Sequence, residues 1–144
     1  MTALGIDYGE KRIGVAVTDE LEIIASPLAT IANDSGTVGE LQRIVSERRI
    51  DTVVVGLPLN MDGTLGPSGK AAQAFARVLQ ARLTIATVDT IDERLTTVQA
   101  ERAMLAHDLS RAKRARRRDE MAAQMLLQSY IDRKKRRTLS EGAL

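Results

Sequence analysis

Apolar residues fall into two periodicities along the chain. Leu4 and Ile6 end one short strand, and Ile13, Val15 and Val17 alternate with Gly14 and Ala16 in a second. Tyr8-Gly9-Glu10-Lys11 between them is a polar turn containing Gly, so the pair reads as a β-hairpin. Glu22 to Ile31 is apolar-rich and carries Pro27, which suits an edge strand because the missing N–H then costs no ladder bond. Ile50 to Pro58 is a continuous apolar run, the pattern of a strand covered on both faces. Leu83 to Val88 alternates again like a strand.

Helical spacing fills the intervals. Val38, Leu41, Ile44 and Val45 mark one helix, after the turn Asn33-Asp34-Ser35-Gly36. A second spans about Ser68 to Arg82 and is expected to bury Ala71, Ala74, Phe75, Val78 and Leu79. Thr96 with Gln99 forms a capping box for a third, which would bury Val98, Met104 and Leu105. A last helix starting near Asp119 carries Ala122, Ala123, Leu126 and Tyr130 on one face. Three leading strands followed by alternating helix and strand predict an α/β fold, one mixed sheet with helices on its faces. No linker or repeat divides the chain: residues 1–137 read as one domain, and 138–144 as a disordered tail.

Composition narrows the chemistry. The 144 residues are 44% hydrophobic and 28% charged, within the soluble globular class. Two Tyr, one Phe and no Trp leave an aliphatic core and remove aromatic base-stacking as a main binding device. The absence of Cys excludes disulfides, thiolate metal sites and thiol nucleophiles. A single His, His107, argues against a histidine metal cluster. No run reaches the ~20 apolar residues of a membrane span and no secretory signal is visible, so a cytoplasmic location is expected.

The net charge of +2 is unevenly spread: residues 1–110 hold 10 basic and 15 acidic groups, residues 111–144 hold 11 basic and 4 acidic. A solvated basic end is the plain interpretation; the sharper one is a polyanionic partner, since clustered Lys and Arg are the electrostatic footprint of nucleic-acid binders. Arg111, Lys113, Arg114, Arg116, Arg117 and Arg118 make the first basic stretch, and Arg133 to Arg137 a second. The Gly-rich loop from Leu59 to Gly69 lies between a buried strand and a helix, where α/β sheets bind ligands. Its backbone N–H groups and Asn60 could hold a phosphate, but it lacks a P-loop Lys and is equally well a plain connection.

Three carboxylates occupy unusual places. Asp7 closes an apolar strand, either as a turn-starting Asp or as a metal ligand. Glu93 lies just past another strand, beside Asp92; a surface ion pair with Arg94 is its ordinary role. Asp119 follows five basic residues in six and aligns with Ala122, Ala123 and Leu126, and as a helix-opening residue it could simply be an N-cap. If the sheet gathers the three, they repel one another until a hard cation enters. Mg²⁺ is held by a few carboxylates plus substrate phosphate, and two ions about 3.5–4 Å apart clamp both oxygens of a phosphodiester displacement.

Four stretches in order carry a family resemblance: Gly-Ile-Asp-Tyr-Gly…Arg-Ile-Gly-Val-Ala-Val-Thr-Asp at 5–19, Val-Gly-Leu-Pro-Leu-Asn-Met-Asp-Gly-Thr at 55–64, Asp-Glu-Arg-Leu-Thr-Thr at 92–97, and Asp119 with Ala-Ala-Gln-Met-Leu-Leu-Gln-Ser-Tyr-Ile-Asp at 122–132. The chain resembles the YqgF family of small-subunit ribosomal RNA precursor nucleases, also described as Holliday-junction-resolvase-like. Arg118 departs from the pattern, which has an apolar residue before the final Asp. The resemblance implies an RNase H-like fold with a five-stranded mixed sheet in the order 3-2-1-4-5. It also implies Asp7, Glu93 and Asp119 as the catalytic, metal-binding acids, with Mg²⁺ or Mn²⁺, and a role in trimming the 5′ end of the 16S ribosomal RNA precursor.

The leading expectation is therefore a metal-dependent nuclease acting on structured nucleic acid. Asp7 would bridge two ions, with Glu93 and Asp119 each holding one. Lys11, Arg12, Asn60, Arg94 and the 111–118 cations would contact phosphates. Ribosomal RNA precursor or branched DNA would be the partner, with ribosome-associated proteins beside it, and the chain would be a monomer or weak homodimer. The alternatives are a Holliday junction resolvase and a non-catalytic RNA-binding module of ribosome assembly.

Overall fold

The structure is a computed structural model that describes residues 1–95 and 111–142. Its sheet has five strands: β1 (Ala3–Asp7), β2 (Arg12–Thr18), β3 (Ala25–Ala32), β4 (Thr52–Leu57) and β5 (Thr87–Asp92), in the order β3-β2-β1-β4-β5. β1, β2 and β3 form the antiparallel meander, and β4 and β5 join β1 in parallel. This is the mixed sheet expected from the sequence. β3 is an edge strand, so Pro27, opposite Ala16, costs only a local irregularity in register.

Three helices are described: α1 (Thr37–Glu47), α2 (Pro67–Arg82) and α3 (Arg111–Gly142). One face of the sheet presents Leu4, Ile6, Ile13, Val15, Val53 and Val55 to α1 and α2. The other presents small residues, Ala3, Ala16 and Ala25 with Val54 and Ile91, to Ala122, Ala123, Leu126, Leu127 and Ile131 of α3. Among the described residues, bulky side chains pack against two helices on one face and one long helix sinks onto the other. No helix among the described residues is long and apolar enough to cross a membrane.

Three sequence expectations shift. α2 turns toward the sheet with Gly69, Ala72, Ala76 and Leu79, while Ala71, Ala74 and Val78 face outward and Phe75 is half-buried. The small stripe lets α2 lie close to β4, and Phe75 reaches round its flank to Tyr8, ring centroids 4.8 Å apart. β5 begins at Thr87 rather than Leu83, because Leu83 and Ala86 are buried in turning the chain from α2 back to the sheet. The last helix starts at Arg111, not near Asp119, so Asp119 lies inside it rather than at its N-cap, and it continues to Gly142 across most of the expected tail. The capping box at Thr96 and the helix with Val98, Met104 and Leu105 lie outside the described residues, as does His107.

Candidate nucleic-acid cleavage site

The glycines on the α3 face organise the site. Asp7 is the Cα partner of Gly14 across the β1–β2 ladder, so both point to the same face. A Cβ on Gly14 would lie 2.0 Å from the carbonyl oxygen of Asp119, so the backbone of α3 at Asp119 rests directly on that glycine. On the other side of β1, Ile6 pairs with Val55, and one further step along the parallel ladder sets Asp7 beside Gly56. A Cβ on Gly56 would meet Glu93 Oε1 at 2.7 Å and Leu126 Cδ2 at 2.9 Å. Asp7 therefore stands between two glycines, one covered by Asp119 and the other by Glu93. The three acids share one face and one end of the sheet, within about two strand spacings, roughly 10 Å.

Each acid is positioned differently. Asp7 is 7% exposed at the end of the central strand. Glu93 opens a 3₁₀ turn, Glu93–Leu95, directly after β5. Asp119 is half-buried, and its Oδ2 accepts from Arg12 Nε at 3.2 Å. Among the described residues, no three acidic or histidine side chains form a group with metal-binding geometry.

The basic candidates divide. Arg12 is committed to Asp119. Arg94 does not take the ion pair expected with Glu93: its Nε and Nη2 grip Asp92 at 2.8–3.1 Å, and Nη1 donates to the carbonyl of Met61 at 3.1 Å. That guanidinium holds the Asp92 carboxyl below the usual carboxylate range and is itself shifted upward. Arg94 thereby ties the 59–65 loop to the end of β5, beside Glu93. Asn60 closes the same loop, donating from Nδ2 to Thr64 Oγ1 at 3.0 Å, while its backbone N–H donates to the Thr64 carbonyl at 2.9 Å. Lys11 and Arg118 are exposed. Arg111, Lys113, Arg114, Arg116 and Arg117 occupy the first two turns of α3, just before Asp119; their side chains lie outside the described residues.

Sequence reasoning missed the residues that seat α3. Gln128 Oε1 accepts from the Ala25 N–H at 2.8 Å, and Gln124 Nε2 donates to the Ala25 carbonyl at 3.0 Å, pinning the helix to the edge strand. Their i, i+4 spacing was the available signal. Gly14 and Gly56 were also missed as contact points, although a Gly inside a strand marks close backbone approach.

A family model described as RuvX, Holliday junction resolvase, matches residues 1–133. A protein of Clostridium botulinum (strain Eklund 17B / Type B) is 47% identical over 135 residues, covering 92% of this chain and 98% of its own. One of Geobacillus kaustophilus (strain HTA426) is 48% identical over 139 residues, covering 94% and 100%. Both carry the name "Putative pre-16S rRNA nuclease". Among solved structures, Thermus thermophilus RuvC in complex with a Holliday junction substrate superposes with a TM-score of 0.56 at 15% identity, covering 93% of this chain and 96% of that one. The fowlpox virus Holliday junction resolvase does so with a TM-score of 0.52 at 14% identity, covering 92% and 99%. These two likenesses show a shared RuvC-like, RNase H-type fold. The match across nearly the whole chain, with close relatives of the same length, places the chain in the RuvX family of Holliday junction resolvases.

Proposed function

We propose that this protein is a metal-dependent nuclease that processes the 5′ end of the 16S ribosomal RNA precursor, acting in the cytoplasm. The observation that carries this reading is the placement of Asp7 between Gly14 and Gly56, with Asp119 and Glu93 brought over those glycines. The names of relatives 45–50% identical to the chain support the RNA substrate.

The donor set fits a hard divalent cation. It is oxygen-only, and the chain has no Cys. In this reading Asp7 would be shared between two ions, Mg²⁺ or Mn²⁺, and Glu93 and Asp119 would each hold one. Ions held there supply Lewis acidity at the phosphoryl oxygens and offset charge on the attacking and leaving oxygens. The chain's own residues do the rest. Arg12 holds the Asp119 carboxylate in place and, exposed beside it, is also within reach of a substrate phosphate. Arg94 fixes the 59–65 loop, so that Asn60 and its neighbours form one wall of the cleft. Lys11 and the basic segment that opens α3 contact the phosphate backbone of the substrate in this reading. Ribosome-associated proteins are further partners in this reading, and the chain works as a monomer or weak homodimer.

A second reading, cleavage of four-way DNA junctions, is favoured by the description of the family itself. It uses the same carboxylates. The deciding experiment incubates purified protein and Mg²⁺ or Mn²⁺ with a precursor fragment bearing the 5′ leader, a four-way junction and single strands. Cleavage of the precursor near the 5′ end of the mature RNA, abolished by chelation and by Asp7→Asn, is expected. Selective cutting of the junction would move the assignment to DNA. Binding without cleavage under every metal condition would leave a non-catalytic RNA-binding module.

A further inference from the structure

The second basic run, Arg133 to Arg137, takes no part in the site described above. It lies on α3 beyond the packed stretch, roughly 20 Å along the helix axis from Asp119 at ~1.5 Å per residue. There it faces β5 across a cavity of about 290 Å³, lined by Asp89, Asp92, Tyr130, Arg133, Lys134 and Arg137.

The cavity holds charges of both signs, but its free hydrogen-bonding capacity is cationic. The Asp92 carboxylate is occupied by Arg94. Asp89 Oδ1 accepts from the Thr90 N–H at 2.8 Å, and Oδ2 accepts from the Tyr130 hydroxyl at 2.8 Å. Lys134 reaches away to Glu22 Oε2 at 3.3 Å. Arg133 and Arg137, by contrast, make no ion pair or hydrogen bond with any described residue. Each guanidinium carries five donors in a fixed fork suited to phosphate oxygens. Tyr130, Arg133 and Arg137 recur at i, i+3 and i+7, so all three sit on one stripe of α3. The cavity opens beside Asp92, the residue before Glu93, so a strand leaving the acidic site along β5 passes it.

We propose that the groove between β5 and the Arg133–Arg137 stripe of α3 is a second phosphodiester-binding site, gripping the nucleic-acid backbone several nucleotides from the scissile phosphate. This inference rests on the nucleic-acid reading given above, and it names the part of the surface that measures substrate reach. A substrate must extend past the groove to be held fully, and one cut short on that side loses the contact.

The test uses the full chain with Arg133→Gln and Arg137→Gln combined, which removes the charges and keeps most of each stem. Affinity for a fluorescent duplex is measured from 0.05 to 0.3 M salt, with single-turnover cleavage in parallel. Two lost phosphate contacts lower the salt slope by about 1.8 and weaken binding on the order of 30-fold at 0.15 M salt. The cleavage rate at saturating substrate stays unchanged, and a duplex truncated so that it cannot reach the groove binds both proteins equally. An unchanged affinity and slope in the double variant, with cleavage intact, would overturn the second site and leave the nuclease reading standing. Binding that depends on Arg133 and Arg137 without any cleavage by the wild type would support the site and overturn the nuclease. Saturable ATP or inorganic phosphate binding lost in the variant, with nucleic-acid affinity unchanged, would assign the groove to a free phosphate ligand and overturn the proposal.

Discussion

Replacing Gly14 by Ala is the most direct probe of how the site is built. Gly14 is not a turn residue; its role is the absence of a side chain under α3. The added Cβ would sit 2.0 Å from the Asp119 carbonyl oxygen, a rigid backbone atom in mid-helix. Ordinary contact begins near 3.4 Å, so the helix must retreat by about 1.4 Å at Asp119. Overpacking of this kind costs about 1–3 kcal/mol. The functional loss is larger in proportion, because displacing a positioned group by about 1 Å costs on the order of 100-fold in rate. The Arg12–Asp119 contact would stretch with it. Thermal unfolding and single-turnover cleavage at saturating Mg²⁺ measure the two effects together. Gly39→Ala is the control: nothing lies within 4 Å of its Cβ, it sits in α1, and it should stabilise by about 0.5–1 kcal/mol with no change in rate. A Gly14→Ala protein with wild-type melting temperature and wild-type rate would refute the placement of Asp119 against β2.

Asp7→Asn should abolish turnover while leaving the circular dichroism spectrum and nucleic-acid affinity essentially unchanged, since the amide keeps the shape and removes the charge; near-normal cleavage at saturating Mg²⁺ would exclude Asp7 as a bridging ligand. Changing Arg114, Arg116, Arg117 and Arg118 to Ala should weaken binding across many sequences and flatten the salt slope by roughly 0.9 per lost phosphate contact, whereas Asp119→Asn should keep the slope and lose turnover. Burial first, and then the hydrogen bond to Asp89, push the Tyr130 phenol up to about 12. Folding thus favours the neutral phenol, a contribution present in full below the ordinary tyrosine value near 10 and lost as the pH rises toward 12. Absorbance titration of a Tyr8→Phe background should show this late transition, and Asp89→Asn should move it down. An unmoved midpoint in that variant would remove Asp89 as a cause.

The sheet was legible because both of its signals are local. Alternation in β1 and β2 and the unbroken apolar run of β4 follow from which faces are covered, and each can be read within a few residues. The start of β5 was not legible: Leu83 and Ala86 have the burial of strand residues but acquire it in a connection, where no ladder is formed. The face of α2 was misplaced for a related reason. A helix that must lie close to a sheet buries its smallest residues, Gly69, Ala72 and Ala76, so ranking positions by hydrophobicity favoured Val78, which is 45% exposed.

In the candidate site the acids stand out in the sequence and the spacers do not. A carboxylate at the end of an apolar strand is conspicuous because burial of charge is costly, so Asp7 could be singled out without any fold. Gly14 and Gly56 are informative only once the strands are paired, since their meaning is the approach of Asp119 and Glu93 from elements distant in sequence. The same geometry makes the small-residue face of the sheet the one suited to the proposed chemistry. On the opposite face, Ile, Leu and Val side chains cover the strands, and a carboxylate arriving there would meet hydrocarbon. On the α3 face, glycines let a helix backbone come down to the strands, so Asp119 arrives beside Asp7 from above while Glu93 enters over Gly56. One helix then does three jobs along its length. Its first turns carry a dense basic segment, its ninth residue delivers an acid to the sheet, and its apolar middle, pinned by Gln124 and Gln128 to Ala25, fixes how deep that acid sits. A change that tilts α3 should therefore disturb cleavage more than binding, because phosphate contacts tolerate displacement that the proposed shared cation site would not.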